Sequence, residues 1–301
     1  MKQVVPIINI RLEERKTEVR EVLNETDYII KLVNLVYQFH FLSTEQIYRF
    51  FKKSTDKRNP FLDKTLMKLW RVGYLEKFKA LTHGSFAPCN FYMIGLKGKE
   101  LLIKNNYSDY DLNALENYKV GYDVKFGHFE HHFMASEFAS MEFMNWNEDN
   151  DIAELGEMKS HVIFGYEKNL VISPDFITLR KSNDKDIKIY NEVEISPKSD
   201  AKKRLKLTKY LNYKKETKDE FILRFIFSNP MREIAYWNWC KKELPEALEE
   251  LNIYSTSLNF IDSFEDLEKE IYFLPKIDTI PKYPMGINRY DERLEVKRIT
   301  I

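Results

Sequence analysis

Apolar residues first recur at helical spacing in TDYIIKLVNLVYQF, where Ile29, Leu32, Val33 and Val36 share a face and Thr26 or Asp27 can cap the start. In LSTEQIYRFF, Ser43 followed by Gln46 three residues later is a capping-box pattern that opens a second, short helix. After the basic loop KKSTDKRNP, Pro60 starts a third helix, PFLDKTLMKLWRVG, and Gly73 is a natural stop for it. YLEKFKA and NFYMIGL read as two strands joined by the Gly- and Pro-containing turn LTHGSFAPC, and KGKELLIKN returns to helix.

Three short helices followed by a hairpin is the order of a winged helix-turn-helix, with the third helix as recognition helix and the hairpin as wing. Leu62, Leu66 and Leu69 form an apolar stripe on that helix, and Lys64, Lys68 and Arg71 form a basic stripe at the same spacing. One face for a core and cations on another suit a duplex groove and its phosphates. The same stripe also suits a solvated surface helix, and the two readings differ only in the surrounding element order. Lys57 and Arg58 in the preceding loop extend the patch and are expected to contact DNA with Lys64, Lys68 and Arg71.

The acidic, polar stretch NNYSDYDLNALENYK predicts a linker over 106–118 between a DNA-binding domain over 1–105 and a second domain over 119–301. The second domain opens with the long helix HFEHHFMASEFASMEFMNW. Strand-like segments HVIFGY, VISPDFITL and DIKIYNEVEI follow, then the basic helix DAKKRLKLTKYLNYKKE and the apolar strand EFILRFIFS. That alternation predicts an α/β domain. A helix is expected around ELPEALEEL, and the pattern assigns no role to 236–301.

Composition narrows the function classes. The chain has 301 residues, long enough for two domains, and a formal charge of +0, so no global field advertises a polyanionic partner. Cys89 and Cys240 are the only cysteines, which argues against a disulfide framework and for a reducing cytoplasm. The N-terminal MKQVVPIINIRLEERK has a short apolar run followed at once by charge, and is expected to be neither a signal peptide nor a membrane span. Neither a GxGxxG nor a Walker loop occurs. His128, His131 and His132 in HFEHH lack a cysteine nearby in sequence, so packing or capping is favoured over zinc.

VISPDFITLR carries the candidate chemistry. It reads as a strand, yet Pro174 and Asp175 sit in its middle, and both are depleted in strands. In DIKIYNEVEI, Ile187, Ile189, Val193 and Ile195 alternate with Lys188, Tyr190, Glu192 and Glu194, which face the other way. A hairpin between the two segments brings Asp175, Glu192 and Glu194 together. Packed carboxylates repel, and a hard cation such as Mg²⁺ relieves that repulsion. Otherwise Glu192 and Glu194 line the exposed face of an edge strand. Lys188 lies about 13 Å from Glu192 along an extended chain, too far to serve the site.

SPDF, a hairpin and then EVE resemble the PD-(D/E)-x-K nuclease core, in which the aspartate after proline and the first acidic residue of the second strand hold a divalent metal. Pro174, Asp175 and Glu192 match that pattern. The lysine does not, because Glu194 stands in its place, and the resemblance implies that Lys206 or Lys209 of the following helix supplies the cation. A glutamate on the first core helix often joins such sites, and Glu137 is the candidate, since Phe133, Met134 and Met141 suggest that it faces inward. The wider layout, with HHFMASEF, PDF, E-x-E and KLTKY behind a winged helix, resembles the replication-relaxation family of plasmids and other mobile elements over roughly residues 27 to 230. His132, Asp175, Glu192, Glu194, Lys206 and Tyr210 align with its recurring pattern, with E-x-E where the family usually has E-x-D.

The resemblance implies an α+β or α/β chain: an N-terminal winged helix-turn-helix followed by a restriction-endonuclease-like domain. It implies a DNA-binding protein of plasmid or mobile-element replication or mobilisation with a nuclease-like fold, and the intact carboxylates favour the reading of an Mg²⁺- or Mn²⁺-dependent nickase or endonuclease. The catalytic residues are then Asp175, Glu192, Glu194, Lys206 and Lys209, with the metal at Asp175, Glu192 and Glu137. The alternative is a catalytically inactive nuclease fold that serves as a sequence-specific DNA-binding regulatory module. The partners expected are double-stranded DNA, replication or relaxosome proteins and a second copy of the chain, with no membrane.

Overall fold

The computed structural model describes residues 11–12, 26–51, 60–80, 88–105, 115–118, 126–145, 152–156, 158, 160, 162–164, 170–182 and 185–257. It is a mixed α/β chain that divides into two compact units, Met1–Ser140 and Met141–Ile301. The first nine residues of the expected linker, 106–114, lie outside the described residues. The division falls later than the linker because the first part of a long helix, Phe126–Asn145, packs within the first unit. There, Phe129 joins a cluster with Phe41, Phe78, Ala80, Phe91 and Met93.

The first unit is built from α1 (Asp27–Gln38), α2 (Thr44–Phe50), α3 (Pro60–Val72) and α4 (Leu96–Lys104). Its strands are β1 (Arg11–Leu12), β2 (Leu42–Ser43), β3 (Leu75–Ala80) and β4 (Cys89–Ile94), paired antiparallel in the order β1-β3-β4-β2. The capping box forms as read: the Ser43 amide donates to Gln46 Oε1 at 2.8 Å, and the Gln46 amide donates to Ser43 Oγ at 3.1 Å. Leu62, Leu66 and Leu69 of α3 are buried, while Lys64, Lys68 and Arg71 are exposed. Gly73 ends α3 at a φ of 98°, a conformation that costs glycine little because it has no Cβ.

In the second unit, the end of α5 (Phe126–Asn145) precedes β5 (Ile152–Gly156), β6 (Val162–Phe164), β7 (Leu170–Ile172), β8 (Phe176–Ser182) and β9 (Lys185–Glu194). Then come α6 (Asp200–Thr217), β10 (Ile222–Phe227), α7 (Pro230–Glu243), α8 (Pro245–Glu250) and β11 (Ile253–Ser257). Among the described residues one sheet has the order β11-β10-β9-β8-β5, and β6 pairs β7 separately. β9, β10 and β11 run parallel, joined through α6 and through α7 and α8, while β8 runs antiparallel to β9 and to β5.

β9 is therefore a central strand, which overturns the edge-strand reading of Glu192 and Glu194. The two sequence-predicted faces of β9 hold. Tyr190 lies beside Leu223, Glu192 beside Phe225 and Glu194 beside Phe227. That face carries the core formed with Leu207, Tyr210 and Leu211 of α6 and Tyr236, Trp237 and Cys240 of α7. β10 is buried along its whole length, as expected of a parallel strand covered on both faces.

VISPDFITLR is two strands rather than one, and they belong to different sheets. Pro174 lies between them, with no ladder bond to forfeit, and its carbonyl accepts a hydrogen bond from the Ser160 hydroxyl.

Candidate functional site

The candidate site is built where β8 begins and β9 ends. Pairing of Phe176 with Asn191 brings Asp175 opposite Glu192. The Asp175 amide donates to the Asn191 carbonyl at 2.8 Å, and its Oδ2 accepts from the Val193 amide at 2.6 Å. The side chain thus continues the ladder one step past the end of β8. This answers why a proline and a carboxylate interrupt the apolar run: Pro174 lets the chain leave for β7 while Asp175 stays at the site.

Glu192 and Glu194 project from the same face of β9 toward α6. Lys206 of α6 bonds both: its Nζ donates to Glu192 Oε2 and, at 2.9 Å, to Glu194 Oε1. Tyr210, one turn further along, donates its hydroxyl to Glu192 Oε1 at 2.7 Å. Lys198 donates to Glu194 Oε1 at 2.8 Å. The carboxylates are almost entirely enclosed, at 3 % and 4 % side-chain exposure, against 19 % for Lys206.

Electrostatics follow from three carboxylates around one shared ammonium. Burial opposes the charge on Lys206, but the pull of Glu192, Glu194 and Asp175 outweighs it and holds the Lys206 pKa well above the ordinary lysine range. Burial likewise raises Glu192. Lys206 opposes that rise, and the charges of Asp175 and Glu194 add to it. Both partners therefore hold protons more tightly than in water. Tyr210 is kept protonated, first by burial and then by the charge of Glu192.

An open cleft of about 260 Å³ lies over this group, lined by Glu192, Lys198, Lys202, Lys206 and Lys209. Leu205, also in the lining, is 59 % exposed. Four lysines around a carboxylate floor suit an approaching phosphate. Lys209 is exposed on the rim rather than bonded into the carboxylate group. Lys188 is engaged elsewhere, donating to Asp219 at 2.8 Å.

The donor set suits a hard divalent cation in part. Asp175 and Glu192 supply two carboxylates, a number Mg²⁺ accepts when waters and a phosphate complete its shell. Among the described residues no group of three or more His, Cys, Asp and Glu side chains is placed to hold a metal ion. Glu137 does not join the pair. Its carboxylate is taken up inside the first unit by Arg49 at 2.5 Å and Gln46 at 2.9 Å. The His128, His131 and His132 cluster packs as aromatic surface, with His132 against His40 at 4.3 Å between ring centroids.

The buried carboxylate that α5 contributes to the second unit is Glu142, which the sequence reading missed. It lies against the opposite sheet face, where Arg224 Nη2 donates to it at 2.5 Å, Arg180 also donates, and Thr178 donates at 3.1 Å. Asn191 accepts from Arg224 Nε at 2.6 Å. Burial would raise Glu142, but Arg224 and Arg180 outweigh it and bring its pKa down to about 2. The available signal was Arg224 itself, a cation within the apolar run EFILRFIFS that requires a buried partner.

On α3, Lys64, Lys68 and Arg71 form the exposed stripe that the periodicity predicts, whereas Lys57 and Arg58 lie outside the described residues. No helix among the described residues is long and apolar enough to cross a membrane. No family model, curated protein or solved structure matches this chain.

Proposed function

We propose that this is a cytoplasmic DNA-binding protein of plasmid or mobile-element replication or mobilisation. On this reading the first unit is a winged helix-turn-helix, and the second is a PD-(D/E)-x-K-like nuclease core whose lysine has moved from the strand to the following helix. The observation that carries it is Lys206, which reaches from α6 to bond both Glu192 and Glu194, with Asp175 opposite Glu192 across the β8–β9 hairpin. The order helix, three antiparallel strands, helix and parallel strand supports the same core. The resemblance to replication-relaxation proteins rests on the quoted motifs.

The division of labour follows from the geometry. Lysines at the cleft rim attract the phosphate backbone, and α3 presents a second cationic face for a duplex. Lys206, positively charged and fixed by two carboxylates, orients the attacking water or offsets charge on the pentacoordinate, phosphorane-like transition state, an electrostatic role for a preorganised cation. Tyr210 holds Glu192 in place. A divalent cation, when held by Asp175 and Glu192, would supply Lewis acidity toward the phosphoryl oxygen.

Nicking of supercoiled plasmid in Mg²⁺ or Mn²⁺ tests the nuclease reading. Wild type should cut, Lys206→Ala should lose cutting, Lys188→Ala should retain it, and Lys209→Ala should weaken binding more than cutting. Loss in Lys188→Ala alone overturns the assignment. A second reading, an inactive nuclease fold that only binds DNA, is favoured by one observation: lysines already pair with both glutamates, Lys206 with Glu192 and Glu194 and Lys198 with Glu194. It predicts duplex binding with no cutting in either metal. In both readings, Lys64→Ala, Lys68→Ala and Arg71→Ala together should weaken duplex binding and reduce the salt slope by about one unit for each phosphate no longer neutralised. An unchanged slope removes α3 from the interface.

A further inference from the structure

A second, smaller cleft lies beside the first, at the ends of β9 and β10 where the chain enters α6 and α7. Its volume is about 120 Å³, and Glu194, Lys198, Lys203, Phe227, Arg232 and Tyr236 line it. Both following helices start here, α6 capped by Ser199 and α7 by Asn229, so two positive helix ends face the same region.

The side chains add to that field. Lys198, Lys203 and Arg232 set three cations against the one carboxylate of the lining, Glu194, which Lys198 and Lys206 engage, and against Asp200 beside the cleft, which pairs with Lys203, so the region keeps a net positive charge centred on Arg232. Arg232 is anchored by its Nη1 to Ser228 Oγ at 2.9 Å. Lys203 is anchored to Asp200 at 3.0 Å and lies over the Trp239 ring at 4.9 Å. Tyr236 supplies an independent sign of a missing ligand. The residue is 5 % exposed, and its buried hydroxyl has no hydrogen-bond partner among the described residues. A buried phenol without a partner is costly unless something else completes it.

We infer that this cleft binds a terminal phosphate monoester of a nucleic-acid strand, next to the Glu192–Lys206 group. The inference rests on the nucleic-acid reading above and adds a preference for strand ends. Size and charge both select the ligand. The cleft is well below the roughly 300 Å³ at which pockets begin to hold drug-sized molecules, so it suits a phosphate rather than a whole nucleotide. A monoester is close to a dianion at neutral pH, which matches the cationic excess better than the single charge of an internal diester. Arg232 offers a planar fork to its oxygens, and Tyr236 a neutral donor. Burial, and then the charge of Glu194, keeps that phenol protonated.

The test is fluorescence anisotropy with labelled oligonucleotides of one sequence carrying a 5′-phosphate, a 3′-phosphate or hydroxyls at both ends. One phosphorylated form should bind at least about tenfold more tightly than the hydroxyl form, the factor one charge-assisted hydrogen bond carries, and the arm that gains identifies the end. Inorganic phosphate should compete away that gain and leave hydroxyl-ended binding unchanged. Arg232→Gln and Lys203→Gln should each abolish the gain, and Tyr236→Phe, which preserves the core ring, should reduce it severalfold. Equal affinity for all three oligonucleotides, with binding retained, overturns the end-recognition site and leaves the nucleic-acid reading standing. No binding of any oligonucleotide or duplex overturns both. A gain that survives in folded Arg232→Gln and Lys203→Gln also refutes the assignment.

Discussion

Lys206→Met removes the ammonium that Glu192 and Glu194 share while keeping much of the side-chain stem in place. Breaking a buried ion pair from one side costs about 3–5 kcal/mol, because the remaining charge is left without compensation. Here the surviving carboxylates keep partial support, from Tyr210 at Glu192 and Lys198 at Glu194, and Lys206 itself is 19 % exposed. The lower end of the range therefore applies, about 3 kcal/mol at pH 8. Glu192→Gln should cost about 1 kcal/mol, since it removes the charge together with the need for it. The double variant should recover about 2 kcal/mol relative to the sum of the single changes.

The pH dependence gives an independent check. Burial already raises Glu192, and loss of Lys206 removes the strongest influence opposing that rise. A carboxyl whose folded pKa lies above its unfolded value contributes stability that is full below the unfolded pKa and is lost as pH rises through the folded one. The cost of Lys206→Met should therefore be smaller at pH 5 than at pH 8. Urea unfolding followed by tryptophan fluorescence measures it, since Trp237 is fully buried in the affected core, and unchanged m-values would keep the comparison valid. A cost under about 0.5 kcal/mol at pH 8, too small for any buried pair, refutes the reasoning, as does an equal cost at both pH values or an additive double variant.

Glu142→Gln leaves Arg224 and Arg180 without their anion and should cost about 3–5 kcal/mol by urea unfolding at pH 7, more than Lys64→Ala, Lys68→Ala or Arg71→Ala on the exposed face of α3. Because the folded pKa of Glu142 is brought down to about 2 from 4.5, wild type alone should lose about 3 kcal/mol as pH falls from 5 to 2, and a variant with the same acid profile would count against the network. Glu233 behaves in the opposite sense. Burial pushes it up to about 7 from 4.5, with a hydrogen bond from Ser255 opposing the rise, so its contribution is full below pH 4.5 and lost as pH rises through 7. Glu233→Gln should therefore gain about 3 kcal/mol over wild type between pH 5 and pH 8, and parallel pH–stability curves would refute that.

Local patterns were enough wherever one face of an element decides its fate. The helices around Leu32 and Leu66 announce themselves by spacing, the Ser43–Gln46 box by its chemistry, and the two faces of β9 by simple alternation. Asp175, Glu192 and Glu194 were legible because carboxylates sat at fixed offsets in otherwise apolar segments, whereas Lys206 stood out from the other lysines of its helix only through the family resemblance, as one of two choices with Lys209. Other elements had no such local signature. β11 reads IYSTS, a polar run whose Ser255, Thr256 and Ser257 are buried only because β10 lies alongside. α7 mixes aromatic and charged residues around its whole circumference, and its start was marked only by Asn229 and Pro230. VISPDFITLR looks continuous because periodicity cannot register a change of sheet.

Sequence alone therefore determined which residues could carry charge chemistry and on which face of each element they lie, since covalent spacing sets those faces. The tertiary structure decided which of them meet. Pairing of β10 beside β9 buried Glu192 and Glu194 instead of exposing them, and packing of α6 over that pair selected Lys206 ahead of Lys209. Arg49 and Gln46 claimed Glu137, while Arg180 and Arg224 claimed Glu142. Such choices depend on contacts between residues far apart in sequence, whose desolvation and pairing energies exist only once the sheet has formed.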